Sequence, residues 1–238
     1  MNYRDRSSAV SLYTSSALFE RCYIHNNVTD EFHPIFVDEA QAEFRNCRIT
    51  YNLAGASGSA IGVDKAAIKV DGSIIAHNIG EFGGGFDVIE GSIDLSRSTV
   101  TENSAYEGGG AEATFSGLLR IRQSILWGNC AAKGRDLYFD PGATVDIETS
   151  CWDSSQADRS PVVRFSADQI FRDPGFVRAT GCDSGDPGDY HLTADSPCRR
   201  ENNQLGLDIG ADPDSCPPEA PSAARTAAAG GRTWRRRS

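Results

Sequence analysis

Asp87 and Glu112 are two carboxylates 25 residues apart, and the residues around them repeat at the same interval, so they fill equivalent positions in successive repeats. Nine residues past a recurring asparagine, this position holds Ser11, Phe36, Asp87, Glu112, Tyr138 and Arg164, with Gly62 in the repeat that carries one extra turn residue. Stacked as strands, neighbours in such a column lie about 5 Å apart. Like charges at that distance are costly unless a cation or a shared proton relieves them. Three readings fit. Asp87 and Glu112 can bind Ca²⁺, which takes several oxygen ligands, and hold an acidic sugar for β-elimination beside Arg164 or Tyr138. They can act as a retaining glycosidase pair, for which about 5 to 5.5 Å is the working separation. Or they are solvated carboxylates of an acidic protein, with Tyr138 and Arg164 as ordinary surface residues, which is the reading the sequence favours. Phe36 and Tyr138, on the same strip, offer rings for a sugar to stack on, whether the protein binds or cleaves it.

The elements that position this column follow from the repeat itself. Asn27, Asn52, Asn78, Asn103 and Asn129 recur at intervals of 25, 26, 25 and 26 residues. Ten residues before them lie Ala17, Ala42, Ile68, Ile93 and Leu119; eight before, Phe19, Phe44, Val70, Leu95 and Ile121. Five before come Cys22, Cys47, Ser73, Ser98 and Ser124, and three before, Ile24, Ile49, Ile75, Val100 and Leu126. A sixth copy has Ser155 in the asparagine place, with Val145, Ile147, Ser150 and Trp152. Apolar positions two apart mark strands. A second strand follows each asparagine, seen in Ile35/Val37, Ile61/Val63, Phe86/Val88, Ala111/Ala113, Leu137/Phe139 and Val163/Phe165. One repeat cannot bury its own apolar edge, so the coils must stack about 4.8 Å apart with parallel pairing. The expectation is an all-β chain, a right-handed parallel β-helix (solenoid) of about seven coils.

Outward positions support the same register. Nine before the reference lie Glu43, Lys69, Asp94, Arg120 and Asp146; seven before lie Glu20, Arg45, Asp71, Ser96, Arg122 and Glu148. Charge alternates along both columns, as neighbouring strands require. Each exposed pair contributes roughly 0 to 1 kcal/mol, so these ladders set register and solubility.

Stepping the period back from Asn27 reaches Asn2, with Val10 and Leu12 in core positions, so the chain begins within a coil. No capping element and no signal peptide precede it, and the expectation is that upstream coils and an export signal are missing. Seven cysteines suit an oxidising compartment. Cys182, Cys198 and Cys216 fall in a Gly/Pro/Asp-rich segment suited to disulfide stapling, whereas Cys22 and Cys47 share an inward column and read as stacked thiols. No zinc spacing occurs.

Beyond Phe165 the period gives way to Asp173-Pro-Gly-Phe-Val177, Gly188-Asp-Tyr-His-Leu192, Ser196-Pro-Cys198 and Leu207-Asp-Ile-Gly-Ala211. With Ser124-Ile-Leu-Trp-Gly-Asn129 and the turns Gly83-Gly-Gly85 and Gly108-Gly-Gly110, these motifs resemble secreted bacterial right-handed β-helix repeat proteins with interchangeable C-terminal anchors, related to polymorphic outer-membrane-type repeats. The resemblance covers Asn2 to Cys216 and implies a secreted or surface location, but no single activity. Residues 217–238 hold no apolar stretch able to span a membrane. They carry +4 of a total of −10, leaving −14 on the body, which disfavours nucleic acid and anionic membranes. The organisation expected is therefore a β-helix over 1–171, a closing segment over 172–216 packed on the last coil, and a disordered basic tail over 217–238.

The triple-glycine turns carry no phosphate site, because no helix follows them; glycine at φ > 0 explains them better. The asparagines suit a ladder of side-chain amides that also tolerates left-handed turns. His25, His33, His77 and His191 share no face with a serine and an acid. The expected role is a non-catalytic extracellular or cell-surface β-helix, a monomer presenting a stiff face to a polysaccharide or cell-surface ligand. The alternative is a polysaccharide lyase or glycoside hydrolase built on Asp87, Glu112 and Arg164.

Overall fold

Each coil turns three corners, and at each corner one residue adopts a left-handed backbone. Six residues before the asparagine these are Arg21, Asn46, Gly72, Arg97, Gln123 and Thr149; one residue before it, Asn26, Tyr51, His77, Glu102 and Gly128. The third corner uses Thr14, Glu39, Lys65, Glu90 and Phe115. A single left-handed residue reverses the chain without a helix, and stacking repeats the reversal in register. The structure, a computed structural model, describes residues 8–156 and 163–218. The expected left-handed asparagine is corrected: the residue before it makes the turn, and the ladder asparagine keeps its amide for the stack.

The corner six residues before the asparagine divides what reads as one strand into two, so each coil has three strands and the solenoid three parallel sheets. The first sheet holds Val10–Tyr13, Ile35–Asp38, Ile61–Asp64, Phe86–Ile89, Ala111–Thr114 and Leu137–Phe139. The second holds Ser16–Glu20, Gln41–Arg45, Ala67–Asp71, Ser92–Ser96, Leu118–Arg122, Thr144–Glu148 and Val163–Phe165. The third runs from Tyr23–His25 through Arg48–Thr50, Ile74–Ala76, Thr99–Thr101 and Ile125–Trp127 to Cys151–Trp152. Among the described residues six coils are thus complete, with a seventh strand on the second sheet alone.

The register is the one the period predicts, with Ala17, Ala42, Ile68, Ile93, Leu119 and Val145 in one column. Ile35, Val37, Phe44, Ile61, Ile68, Phe86, Leu95 and Ile121 fill the bore between the sheets, each 2 % exposed or less. Two hydrogen-bond ladders line that bore. Asn27, Asn52, Asn78 and Asn103 each donate from Nδ2 to Oδ1 of the next asparagine at 2.8, 2.9, 2.9 and 3.0 Å. The last rung differs: Asn129 donates at 2.8 Å to Asp136, seven residues on, because Ser155 lies in a short 3₁₀ turn away from the stack. In the second ladder the N–H groups of Cys47, Ser73, Ser98 and Ser124 donate to the serine hydroxyl one coil further on, at 3.0 to 3.2 Å. Cys22 and Cys47 continue that column as free thiols, as expected.

The outer charge ladder forms Arg120–Asp94 at 3.4 Å and Arg122–Glu148 at 3.1 Å, and Arg97 pairs with Asp71. Arg45 turns instead to Glu43 on its own strand, at 2.6 Å. Val163–Phe165 corrects another expectation. It joins the second sheet rather than the first, so Arg164 stands opposite Asp146 and extends the alternating column there.

The closing segment starts at the last coil, where Gln169 and Ile170 bond Ser150 and Trp152 packs against Phe165 and Phe171. It does not stay there. It runs back along the outside of the third sheet, with Ala211 N–H donating to Thr99 Oγ1, Cys216 Sγ to Cys47 O, and Arg48 Nε to Pro217 O. The reason is the third sheet's outer face, where Ile74, Ala76 and Ile125 need an apolar cover. One disulfide, Cys130–Cys182, ties this segment to the solenoid. Most of the expected basic tail, from residue 219, lies outside the described residues, as do Met1 to Ser7.

Candidate functional site

The column proposed from sequence forms on the first sheet as Ser11, Phe36, Gly62, Asp87, Glu112 and Tyr138, in that order. Asp87 and Glu112 are Cα partners on adjacent strands, which confirms their juxtaposition. Arg164 is absent from it, for the reason given above. From Phe36 to Glu112 the column does not face solvent, although Ser11 at its N-terminal end does. After each asparagine the chain forms a narrow stacked loop, paired through Val28, Leu53, Ile79 and Ser104, that folds back over the strand. Gly83, Gly108 and Gly134 make the reversal at φ of 61 to 63° for the first two and 55° for the third. A side chain at Gly108 would strike Glu112 Cβ, and one at Gly134 would strike Tyr138 Cβ, so the loop lies directly on the column.

The consequences differ along its length. Phe36 is 1 % exposed beneath Phe32 and His33, and no sugar reaches its ring. Asp87 and Glu112 are each 4 % exposed. Burial, with Asp64 nearby, pushes the Asp87 carboxyl up to about 7; burial, with Asp87, Glu107 and Asp140 nearby, pushes Glu112 up to about 9. Glu112 Oε2 has no hydrogen-bond partner. Of the ways to relieve stacked carboxylates, protonation is therefore the one these surroundings favour. Among the described residues no group of three or more His, Cys, Asp or Glu side chains is placed to hold a metal ion. Tyr138 is half-buried, with Lys133 Nζ 5.9 Å from its ring and 5.6 Å from that of Tyr106, while the same ammonium pairs with Glu107 at 2.5 Å. The ring expected to meet a sugar meets a lysine.

A second polar cluster escaped the sequence reading. Tyr190 Oη donates to Glu102 Oε2 at 2.8 Å and lies 2.8 Å from His77 Nε2, with His77 Nε2 3.1 Å from Glu102 Oε2. The N–H groups of Thr180 and Gly181 also donate to Glu102. Burial would raise this carboxyl, but the bonds from His77, Gly181 and Tyr190 outweigh it and hold Glu102 down to about 2. The signal was present: His77 and Glu102 both immediately precede a ladder asparagine, so they occupy one corner column. Their partners come from the aperiodic segment, which no period could place. Every member is tied to the docking of that segment, so the cluster is a clasp.

Two of the three outer faces are thus covered, the first by loops and the third by the closing segment. The second sheet remains open. Its outward residues include exposed Gln41 and Lys69 and the half-exposed Asp94, Arg120 and Arg122. A shallow groove of about 350 Å³ crosses it between Ser16, Leu18, Gln41, Glu43, Lys69 and Asp94, and another of about 750 Å³ follows the corner past Glu39, Lys65 and Glu90. No helix among the described residues is long and apolar enough to cross a membrane.

Searches of curated proteins and of solved structures find no match to this chain. Residues 2–150 match the family described as the right handed beta helix region. The match spans the coils on which the ladders and all three faces are built, and the chain belongs to that right-handed β-helix family.

Proposed function

We propose that this protein is a non-catalytic, extracellular β-helix that binds an extended glycan or a cell-surface ligand along the open face of its second sheet. The observation that carries this reading is the asymmetry of cover: among the described residues, loops cover the first sheet from Phe36 to Glu112 and the closing segment covers much of the third, while the second keeps its outward side chains at least partly exposed over seven stacked strands and roughly 29 Å. Its charges alternate in sign, so it suits a polar polymer with many weak contacts better than a strongly anionic one. The Cys130–Cys182 bond fits an oxidising location. The lyase or hydrolase reading is weaker, because Asp87 and Glu112 lie beneath loops that a substrate would have to displace.

A panel of neutral and uronate-containing polysaccharides tests this, scored by calorimetric binding and by release of unsaturated or reducing ends. The expected result is binding without turnover, weakened at least tenfold by the Lys69→Glu/Arg120→Glu double change and unaffected by Glu112→Gln. Turnover that Glu112→Gln abolishes would overturn the proposal in favour of an enzyme working on the first sheet.

A further inference from the structure

Five cysteines stand as free thiols, and two of them meet across the junction between the solenoid and its closing segment. Cys151 lies on the last strand of the third sheet and Cys198 in the turn that follows Ser196; both are 0 % exposed and share an apolar cluster with Ile125, Ile170 and Ile209. The two residues reach that cluster from opposite sides of the junction, and Cys151 Sγ donates to Arg172 O at 3.2 Å. The existing disulfide, Cys130–Cys182, joins the same two parts of the chain one coil earlier.

We infer that Cys151 and Cys198 form a second disulfide, so that the closing segment is stapled to the solenoid at two successive coils. Two cysteines gathered in one small buried cluster from separate backbone elements are the arrangement a disulfide joins. The oxidant is a low-molecular-weight disulfide such as oxidised glutathione. One cysteine thiolate attacks it and expels a glutathione thiolate, leaving a mixed disulfide; the second cysteine attacks that bond and expels the other glutathione. Two protein thiols lose two protons and two electrons, and one glutathione disulfide becomes two thiols. Neither sulfur is reachable once the segment has docked, and the neighbouring Cys198 together with burial pushes the Cys151 thiol far up. Closure therefore belongs to folding, before docking is complete.

The competing pair is Cys22 and Cys47, which pack into the solenoid core on adjacent coils. They sit on adjacent rungs of the serine column, where their sulfurs donate to Glu20 O, Phe19 O and Arg45 O as the serine hydroxyls do elsewhere. Both belong to the stacked coils, so a bond there would fasten nothing that pairing does not already hold.

The test is thiol counting on the full chain refolded in a glutathione redox buffer, denatured without reductant, alkylated and mapped by peptide mass spectrometry. Alkylation confined to Cys22, Cys47 and Cys216, with a Cys151–Cys198 cross-linked peptide, supports the inference. Label on Cys151 and Cys198, whether or not Cys22 and Cys47 are cross-linked, overturns it. A second measurement does not depend on mapping: in Cys182→Ser, reductant should still lower the melting temperature. If reductant no longer moves it, the second bond is absent.

Discussion

Replacing Glu112 by glutamine will stabilise this protein at neutral and alkaline pH, although it removes a buried side chain's native chemistry. In the folded state the Glu112 carboxyl holds its proton up to about 9, against an ordinary 4.5. Between those values the unfolded chain has released the proton and the folded chain has not. The folded state then binds more protons, so stability falls as pH rises, by about 1.4 kcal/mol for each pH unit. Carried from 4.5 to neutrality, the loss is on the order of 3 kcal/mol relative to acid conditions. Asp87, raised from 3.8 to about 7, acts in the same direction, and because the two carboxyls repel each other the losses do not simply add. Glutamine keeps the shape and cannot ionise, so Glu112→Gln should match the parent near pH 4 and exceed it by about 5 kcal/mol at pH 8. Urea unfolding at a series of pH values, extrapolated linearly to water, reads this directly. A parent profile that is flat from pH 5 to 8, or a variant less stable than the parent at pH 8, would refute the reasoning. Millimolar calcium that stabilises the parent above pH 7 but not the variant would show that the pair ionises around a cation instead.

Asn78→Ala removes four interior bonds, from Asn52 N, Asn52 Nδ2, and to Ile49 O and Asn103 Oδ1, and should cost about 4 kcal/mol in denaturant unfolding at about 1 kcal/mol each. Cys182→Ser opens a loop of 52 residues and should cost up to about 4 kcal/mol by chain entropy, measured as a lower melting temperature under non-reducing conditions. Tyr190→Phe withdraws the hydroxyl that Glu102 accepts, and about 1 to 3 kcal/mol of local stability with it; limited proteolysis should then cut within residues 176–216 before the coils. Because Glu102 is held down to about 2, its contribution is complete above its ordinary 4.5 and is lost as pH falls toward 2, so the same cleavage in the parent should appear only in strong acid.

The coils were legible because stacking turns a linear period into a spatial one. Every inward column, the asparagine ladder and the alternating charges at Glu43, Lys69, Asp94 and Arg120 follow from counting residues. The juxtaposition of Asp87 and Glu112 was legible for the same reason. Their burial was not: cover comes from the loops between period-marked strands, and only Gly83 and Gly108 hinted that the chain turns back there. Arg164 was misplaced because the sixth coil is shorter than its predecessors, and counting across a shortened coil shifts every later residue to another sheet. The clasp of His77, Glu102 and Tyr190 was half legible, in the two members that share a column. Tyr190 belongs to a segment whose position depends on which apolar face needs cover, and that question arises only in three dimensions.

The asparagine ladder has a direction. Each amide gives one hydrogen to its C-terminal neighbour and offers its oxygen to the N-terminal one, so the rungs form a head-to-tail chain of dipoles. Asp136 ends it, since a carboxylate accepts from Asn129 and has no amide hydrogen to pass on. An additional coil of the same kind can therefore be spliced between any two asparagine rungs, where it finds a donor behind and an acceptor ahead. Beyond Asp136 it finds neither. A lineage of such proteins can lengthen or shorten from within while its terminus stays fixed, and the open sheet grows by one strand with each duplication while the stop signal and the strapped-down segment are inherited unchanged.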